Sequence, residues 1–211
     1  MRVEIIGGMG VGKTTFCNAI ERIGFSCVFE ALEKNPYVDL SYQDPETYGF
    51  YSQISFILGN FFTTRQKKEE KGITIFDYST VTDKAYASLF LNGKARDIAL
   101  QMIEFLEEKE GLADLYLYLT CSPQTQLERI RSRGRDYEAH VNREFLEALD
   151  SYTLNSVHKA QRAGSKIMTI DTEEYNFAAN REDIAAISKA IFDFYDGPQT
   201  KTSHPVYAEV V

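Results

Sequence analysis

The chain opens with the short apolar segment Arg2–Ile6 and continues directly with Gly7-Gly8-Met9-Gly10-Val11-Gly12-Lys13-Thr14-Thr15. This stretch matches the pattern Gly-x-x-x-x-Gly-Lys-Ser/Thr, in which glycines let the backbone wrap a phosphate and point its N–H groups inward. Lys13 is expected to bridge the β- and γ-phosphates, and the Thr14 hydroxyl is expected to ligate Mg²⁺. A helical pattern begins at Lys13 and adds its positive dipole end. The nine residues therefore predict a nucleoside triphosphate site.

Apolar segments and helical patterns alternate along the rest of the chain, as they do in a mainly parallel sheet with helices on both faces. The candidate strands are Arg2–Ile6, Ser26–Phe29, Ile73–Phe76, Asp114–Leu119 and Lys166–Ile170. Long helical stretches are expected over Pro45–Thr64, Asp97–Glu108, Val141–Gln161 and Asp183–Tyr195. We therefore predict one α/β domain over residues 1–196 with a five-stranded sheet. The tail Gly197–Val211 lacks this pattern; disorder is the default expectation for it, and packing as an arm on a neighbouring subunit is the alternative.

Composition excludes several partner classes. The 211 residues carry a formal net charge of −8, which argues against nucleic acid or an anionic membrane as the main partner. No apolar run reaches transmembrane length, and the N-terminus does not resemble a signal peptide. The cysteines Cys17, Cys27 and Cys121 have no zinc or CxxC spacing, so free thiols in a reducing compartment are expected. We expect a soluble, cytoplasmic protein.

Two acids follow predicted strands. Asp77 comes after Ile73–Phe76, and Glu30 comes after Ser26–Phe29. Because the carboxyl ends of parallel strands face the ligand crevice, Asp77 is expected beside the Mg²⁺ held by Thr14, with a capping role as the alternative. Glu30 is placed to accept the proton of an attacking hydroxyl, although the residues alone leave a solvated loop position open.

A cluster of arginines stands out in this acidic chain. A helix is predicted after Ser122 as N-cap, with Pro123 in its first turn, and Gly134 interrupts it. Arginine binds phosphate through paired N–H groups, and a solvated basic face is the alternative. The cluster predicts a lid that closes over phosphates, and its members are Arg129, Arg131, Arg133 and Arg135.

These pieces together resemble the deoxynucleoside kinase family over roughly residues 1–196. The resemblance is carried by the phosphate loop, by Glu30, by the spacing from Tyr42 to Gln53, and by the pattern Arg-x-x-x-Arg-Gly-Arg-x-x-Glu. That last pattern is formed here by Arg129, Arg133, Gly134, Arg135 and Glu138. The resemblance implies a P-loop kinase fold with an Arg-rich lid, ATP and Mg²⁺ as cofactors, a role in nucleotide salvage, and a homodimer.

The resemblance also implies roles for individual residues. Glu30 corresponds to the carboxylate that activates the sugar 5′-hydroxyl, and Tyr42 with Glu138 to the pair that binds the 3′-hydroxyl. Gln53 corresponds to the amide that reads the base edge, and Asp83 to an acid in the base pocket. The three lid arginines Arg129, Arg133 and Arg135 are implied to be catalytic, and the segment 171–180 resembles the loop on the donor's adenine.

Two positions depart from the family pattern. The family usually has an arginine where this chain has Tyr78, and another where it has Asn60. The loss of both cations changes the electrostatics of the acceptor pocket. The open alternatives are that Arg65 or Arg131 substitutes, that activity is low, or that the acceptor differs.

The leading hypothesis is ATP-dependent phosphorylation of a deoxynucleoside to its 5′-monophosphate. A nucleoside monophosphate kinase of the thymidylate-kinase type is the second, although its acceptor needs cations that Tyr78 and Asn60 do not supply. A nucleotide-binding module without catalysis is the third. Gln53 and Asp83 together lean toward a purine base, but which deoxynucleoside is used and where the dimer interface lies stay open.

Overall fold

A computed structural model describes residues 1–68, 71–177 and 179–195. Five strands form one parallel sheet in the order β2-β3-β1-β4-β5. They are β1 (Arg2–Ile6), β2 (Ser26–Val28), β3 (Thr74–Phe76), β4 (Leu115–Thr120) and β5 (Ile167–Asp171). Each lies where an apolar segment predicts a strand, with ends shifted by at most one residue. β2 ends at Val28, so Glu30 lies two residues beyond the strand rather than directly after it.

Four of the helices described here begin at a residue whose side chain caps the first turn. The helices are α1 (Lys13–Glu21), α2 (Val38–Gln43), α3 (Pro45–Lys67), α4 (Thr80–Phe90), α5 (Gly93–Glu110), α6 (Pro123–Arg133), α7 (Arg143–Arg162) and α8 (Arg181–Tyr195). The Ser122 hydroxyl accepts from the backbone N–H of Thr125 at 3.2 Å, which confirms it as the N-cap of α6. Gly134 ends α6 in the left-handed conformation, where a glycine is favoured.

Helices cover both faces of the sheet because successive side chains of a strand point to opposite sides. Val3 and Ile5 pack into a core with α1 and α8. Ile6 points the other way and packs into a second core with Val81 of α4 and Val157 of α7. The doubly covered sheet expected from the sequence is therefore confirmed.

Helix α4 was not expected from apolar periodicity, although it lies against α3, α5 and α7. Its buried face carries polar residues, Thr80, Thr82 and Asp83, beside Val81 and Ala85. Because polar residues interrupt the apolar periodicity, the sequence gives only a weak helical signal here. The helix becomes evident from its packing against neighbouring helices. This helix carries one whole side of the site described below.

Among the described residues, no helix combines the length and apolar character needed to cross a bilayer. The expectation for the tail Gly197–Val211 falls outside the residues that the structure describes.

Candidate active site

One cavity of about 970 Å³ opens beside the phosphate loop. It brings together nearly every site residue expected from the sequence, although these residues come from distant parts of the chain. The residues that line it include Gly8 through Thr15, Glu30, Tyr42, Gln53, Asp77, Asp83, Arg129, Arg133, Arg135 and Glu138. Gly7 is the exception: it does not line the cavity, and its carbonyl oxygen accepts a hydrogen bond from Lys13.

The phosphate loop is held by backbone geometry and by one lysine. Gly12 caps the N-terminus of α1 and accepts from the N–H of Phe16 at 2.9 Å. The Lys13 ammonium turns back over the loop and donates to the carbonyl oxygens of Gly7 and Gly8, each at 2.9 Å. Burial lowers the pKa of Lys13, while the carboxylates of Asp77 and Glu30 act in the opposite direction. The loop thus presents a cation at a helix N-terminus, which suits a bound phosphate.

Thr14 and Asp77 form a hydroxyl–carboxylate pair at the edge of the loop. Thr14 Oγ1 donates to Asp77 Oδ2 at 2.6 Å, and the backbone N–H of Asp77 donates to Val28 O at 2.9 Å. Burial raises the pKa of Asp77, although Lys13 and Thr14 lower it. Asp77 Oδ1 has no hydrogen-bond partner among the described residues. This set of hard oxygen donors is suited to Mg²⁺.

No group of three or more His, Cys, Asp or Glu side chains that could hold a metal occurs in the described parts of the chain. Thr14 and Asp77 alone cannot complete an octahedral shell, so phosphate and water oxygens would have to supply the rest. The site therefore suits a metal ion that arrives with a nucleotide.

A buried amide joins two carboxyl groups at the other end of the cavity. Asn60 Nδ2 donates to Glu30 Oε1 at 3.2 Å and to Asp83 Oδ1 at 3.3 Å. Burial raises the pKa of both carboxyl groups, and the Asn60 hydrogen bonds offset part of that effect. Asn60 occupies the position where the family resemblance implies an arginine. An uncharged amide here pairs with both acids without neutralising either.

Tyr78, at the second departure from the family pattern, is buried and fills space rather than supplying charge. Its ring packs on Phe76 with centroids 5.5 Å apart, and its hydroxyl donates to Asn60 O at 3.1 Å. Arg65 pairs with Glu110 at 2.7 Å, and Arg131 is exposed on α6; neither lines the cavity. The structure therefore gives no support to the alternative in which Arg65 or Arg131 replaces the missing cations.

Aromatic side chains form the wall between the two ends. Tyr42 donates from its hydroxyl to Met9 Sδ at 3.4 Å and packs on Phe90 and Tyr137, with ring centroids 5.4 and 5.6 Å away. Tyr86 stacks on Phe90 one turn later in α4, with ring centroids 6.2 Å apart. Tyr86, Phe90 and Tyr137 were not anticipated. The spacing of Tyr86 and Phe90 by four residues would have been informative only with α4 recognised.

The lid arginines are held by a buried acid. Arg133 contacts both carboxylate oxygens of Glu138, with Nη2 at 2.6 and 2.7 Å and Nε at 3.2 Å. Arg135 Nη1 lies 3.4 Å from Glu138 Oε1. Glu138 is only 3% exposed, so this two-pronged pairing fixes both guanidinium groups over the cavity. Arg133 and Arg135 are therefore positioned by Glu138, whereas Arg131 of the same cluster is exposed to solvent.

Arg129 differs from the other two lid arginines. It donates to Thr172 Oγ1 at 2.8 Å and to Thr172 O at 2.9 Å, just after β5. It also reaches the carbonyl oxygens of Gly10 and Val11 at 3.3 and 3.4 Å. Arg129 therefore ties the phosphate loop to the segment after β5. Thr172 was missed because a single threonine after a strand carries no sequence signal.

Comparison with known proteins gives a consistent result. The family model described as deoxynucleoside kinase matches residues 3–195. The deoxyguanosine kinase of Bacillus subtilis (strain 168) is 24% identical over 193 residues, covering 88% of this chain and 93% of that protein. The deoxyadenosine kinase of Dictyostelium discoideum is 27% identical over 198 residues, covering 90% and 79%. A solved structure of the deoxyadenosine kinase from M. mycoides, with the products dCMP and a flexible dCDP bound, is similar with a TM-score of 0.77 at 24% identity. That similarity covers 92% of this chain and all of that one.

Proposed function

The chain belongs to the deoxynucleoside kinase family, whose members phosphorylate the 5′-hydroxyl of deoxynucleosides. From this premise we propose that the cavity binds ATP and a purine deoxynucleoside side by side and transfers the γ-phosphoryl group from the first to the second. One observation carries the proposal: Lys13 of the phosphate loop and the carboxyl group of Glu30 line the same cavity, close enough for the charge of each to alter the pKa of the other. A phosphoryl donor bound at one and a hydroxyl bound at the other would meet between them.

The donor end is proposed to hold ATP with Mg²⁺. The loop N–H groups and Lys13 would bind the phosphates, and Thr14 with Asp77 would hold the metal, which would supply positive charge against the phosphates. Arg129 is a positioning residue in this scheme, because its guanidinium contacts protein oxygens of Thr172, Gly10 and Val11. It fixes the loop relative to the segment after β5, which would contact the adenine.

The acceptor end is proposed to orient the deoxynucleoside. Glu30 accepts the proton of the 5′-hydroxyl as the oxygen attacks phosphorus. Tyr42 and Glu138 bind the 3′-hydroxyl, while Gln53, 5% exposed in the free protein, reads the base edge. Arg133 and Arg135 stabilise the charge on the transferring group, since Glu138 holds both above the cavity.

A purine acceptor is favoured by two features. Two similar proteins named above are a deoxyguanosine kinase and a deoxyadenosine kinase. The acceptor end also offers the side chains of Gln53 and Asp83, which can both hydrogen-bond to the long edge of a purine.

The assay that tests this proposal compares four deoxynucleosides and their monophosphates as acceptors, with ATP and GTP as donors. Phosphorylation of purine deoxynucleosides is expected. Glu30→Gln should lower turnover by about 10²- to 10³-fold while ATP binding, measured by calorimetry, is retained. Glu33→Gln is the matched control, because Glu33 is exposed and does not line the cavity. Unchanged turnover of Glu30→Gln would remove Glu30 from its role.

A homodimer is proposed through the outer faces of α3 and α5. These helices pack on each other and expose large apolar side chains: Tyr51, Leu58, Phe62, Ile98 and Phe105. Exposed apolar patches of this kind mark protein interfaces. Sedimentation should show a dimer, and Phe62→Glu should give a monomer at micromolar concentration. A monomeric unmodified protein would refute the proposal.

The enzyme is also proposed to act in the cytoplasm. All three cysteines are free thiols, which suits a reducing compartment.

A further inference from the structure

A second, much smaller cavity adjoins the acceptor end of the site. Its volume is about 10 Å³, and residues from β1, α3 and the start of α4 line it. Asn60 and Tyr78, the two departures from the family pattern, are among these residues. Tyr78 and Asp83 line both cavities, whereas Arg2 and Thr80 line only the small one. The small cavity therefore joins the acceptor end to side chains that do not touch the large cavity.

Three residues around the small cavity carry buried polar atoms without hydrogen-bond partners. These atoms are Arg2 Nε, Thr80 Oγ1 and Asp83 Oδ2, and none of them has a partner among the described residues. Asp83 is only 7% exposed, and its other carboxylate oxygen, Oδ1, is the one that accepts from Asn60. Polar atoms left unpaired in such a place are costly. Their concentration around one cavity points to a ligand that pairs with all three.

The guanidinium group of Arg2 is fixed by bonds that leave Nε available. Nη2 donates to Gly111 O at 2.5 Å, and Nη1 donates to Glu110 O at 3.5 Å. Nε lies 3.2 Å from Glu4 Oε1, but its N–H group is not aligned for a hydrogen bond to that oxygen. Glu4 uses its other oxygen to accept from the backbone N–H of Thr80 at 3.2 Å. Arg2 thus keeps one donor beside the small cavity.

The chemistry of the three atoms selects the ligand. Arg2 Nε–H can only donate, an ionised Asp83 Oδ2 can only accept, and the Thr80 hydroxyl can do either. A buried water molecule typically makes about three hydrogen bonds, and a cavity of this size holds about one water. A metal cation would face the Arg2 guanidinium, which has no lone pair to offer. An anion would face the carboxyl groups of Glu4 and Asp83, so a neutral water fits best.

We propose that the small cavity binds one water molecule, which accepts from Arg2 Nε–H, donates to Asp83 Oδ2 and takes Thr80 Oγ1 as its third partner. The water holds the Asp83 carboxyl group in the orientation in which Oδ1 accepts from Asn60, and Asn60 donates in turn to Glu30. Arg2 and Thr80 thereby act as positioning residues for the acceptor end. This positioning role rests on the proposed function, whereas the water site itself does not.

The water site is tested by a crystal structure of the full chain at a resolution that shows ordered waters. We expect one spherical density peak within ordinary hydrogen-bond distance of Arg2 Nε, Thr80 Oγ1 and Asp83 Oδ2. The peak should weaken or vanish in Thr80→Val, which has nearly the shape of threonine but lacks the hydroxyl. A structure without such a peak would overturn the site. Anomalous scattering at the peak, in crystals grown with rubidium chloride, would reveal a cation and also overturn it.

The positioning role is tested by the KM values of the two substrates. Thr80→Val should raise KM for the deoxynucleoside by about three- to tenfold, because one hydrogen bond of the network is lost. KM for ATP should be unchanged, since Thr80 lines only the small cavity. Thr80→Ser keeps the hydroxyl and is the matched control, with both KM values as in the unmodified enzyme.

An unchanged deoxynucleoside KM in Thr80→Val, or an equal rise of both KM values, would overturn the positioning role and leave the proposed function standing. Failure of the unmodified enzyme to phosphorylate any deoxynucleoside would overturn the proposed function and the positioning role together. The density peak would still decide whether the small cavity binds water, so the two failures are distinguishable.

Discussion

At the donor end of the cavity the backbone sets the geometry, whereas at the acceptor end side chains from several elements set it. The donor end is the loop from Gly7 to Thr15, where backbone carbonyls hold Lys13 and Arg129. The acceptor end is the cluster of Glu30, Asn60 and Asp83, joined only by side-chain hydrogen bonds. A site built from backbone groups tolerates few substitutions, whereas in a site built from side chains a substituted residue can form a different set of hydrogen bonds. The departures from the family pattern, Asn60 and Tyr78, lie at the acceptor end.

Loss of the loop lysine should have the largest effect. Lys13→Met removes the cation that the carbonyls of Gly7 and Gly8 hold in the loop, and no backbone group can replace its charge. We expect kcat to fall by about 10³-fold. Thermal unfolding should be unchanged or slightly higher, because burial disfavours the charged amine. Lys34→Met, at an exposed position, is the control. A loss of tenfold or less would mean that another cation takes over.

The backbone of the donor end can be tested at Gly10. Its φ is +74°, and an added Cβ would lie 2.7 Å from Gln126 O and 3.0 Å from Gln126 Cα. Gly10→Ala should lower the free energy of unfolding by about 3 kcal/mol, through backbone strain and overlap with α6. Gly134→Ala has a similar φ of +67° but its nearest atom is 4.0 Å away, so about 1 kcal/mol is expected. Urea unfolding measures both. Equal losses would show that overlap with Gln126 is unimportant.

The same contrast explains what the sequence could predict. Local sequence patterns predicted the strands, the N-cap of α6 at Ser122 and the phosphate loop, because each depends on residues that are neighbours in the chain. Helix α4 was not predicted because its buried face holds the polar residues Thr80, Thr82 and Asp83. The hydrogen bonds from Asn60 to Glu30 and Asp83 join three separate segments of the chain, so no residue spacing in the sequence predicts them. The structural role of Arg129 likewise depends on Thr172, 43 positions away.

Glu4, a buried acid near the acceptor end, is expected to make the stability of the protein depend on pH. It lies on β1, points toward α4 and accepts from the N–H of Thr80 at 3.2 Å. Burial raises the pKa of Glu4 from its ordinary 4.5 to about 7, while Arg2 acts in the opposite direction. Between these values the folded protein keeps a proton that the unfolded chain has lost, so stability falls as the pH rises through 7.

We expect this group to account for about 3 kcal/mol of the loss of unfolding free energy between pH 4 and pH 8. Glu4→Gln should remove that part of the slope, whereas Glu104→Gln, at an exposed site, should not. Urea titrations at several pH values measure it. An unchanged slope in Glu4→Gln would place the pH dependence elsewhere.

The smallest effect is expected from Asn60→Leu, which tests whether the acceptor end adapts. Leucine has nearly the shape of asparagine but cannot donate to Glu30 or Asp83. Because the Asn60 hydrogen bond lowers the pKa of Glu30, its loss should raise that pKa and move the acidic limb of kcat/KM to higher pH. At neutral pH, kcat/KM should fall by about tenfold, with ATP binding unaffected. Asn155→Leu, at an exposed position of α7, is the control. A loss as large as that of Lys13→Met would mean that the acceptor end is as intolerant of change as the loop, and that the contrast between the two ends does not hold.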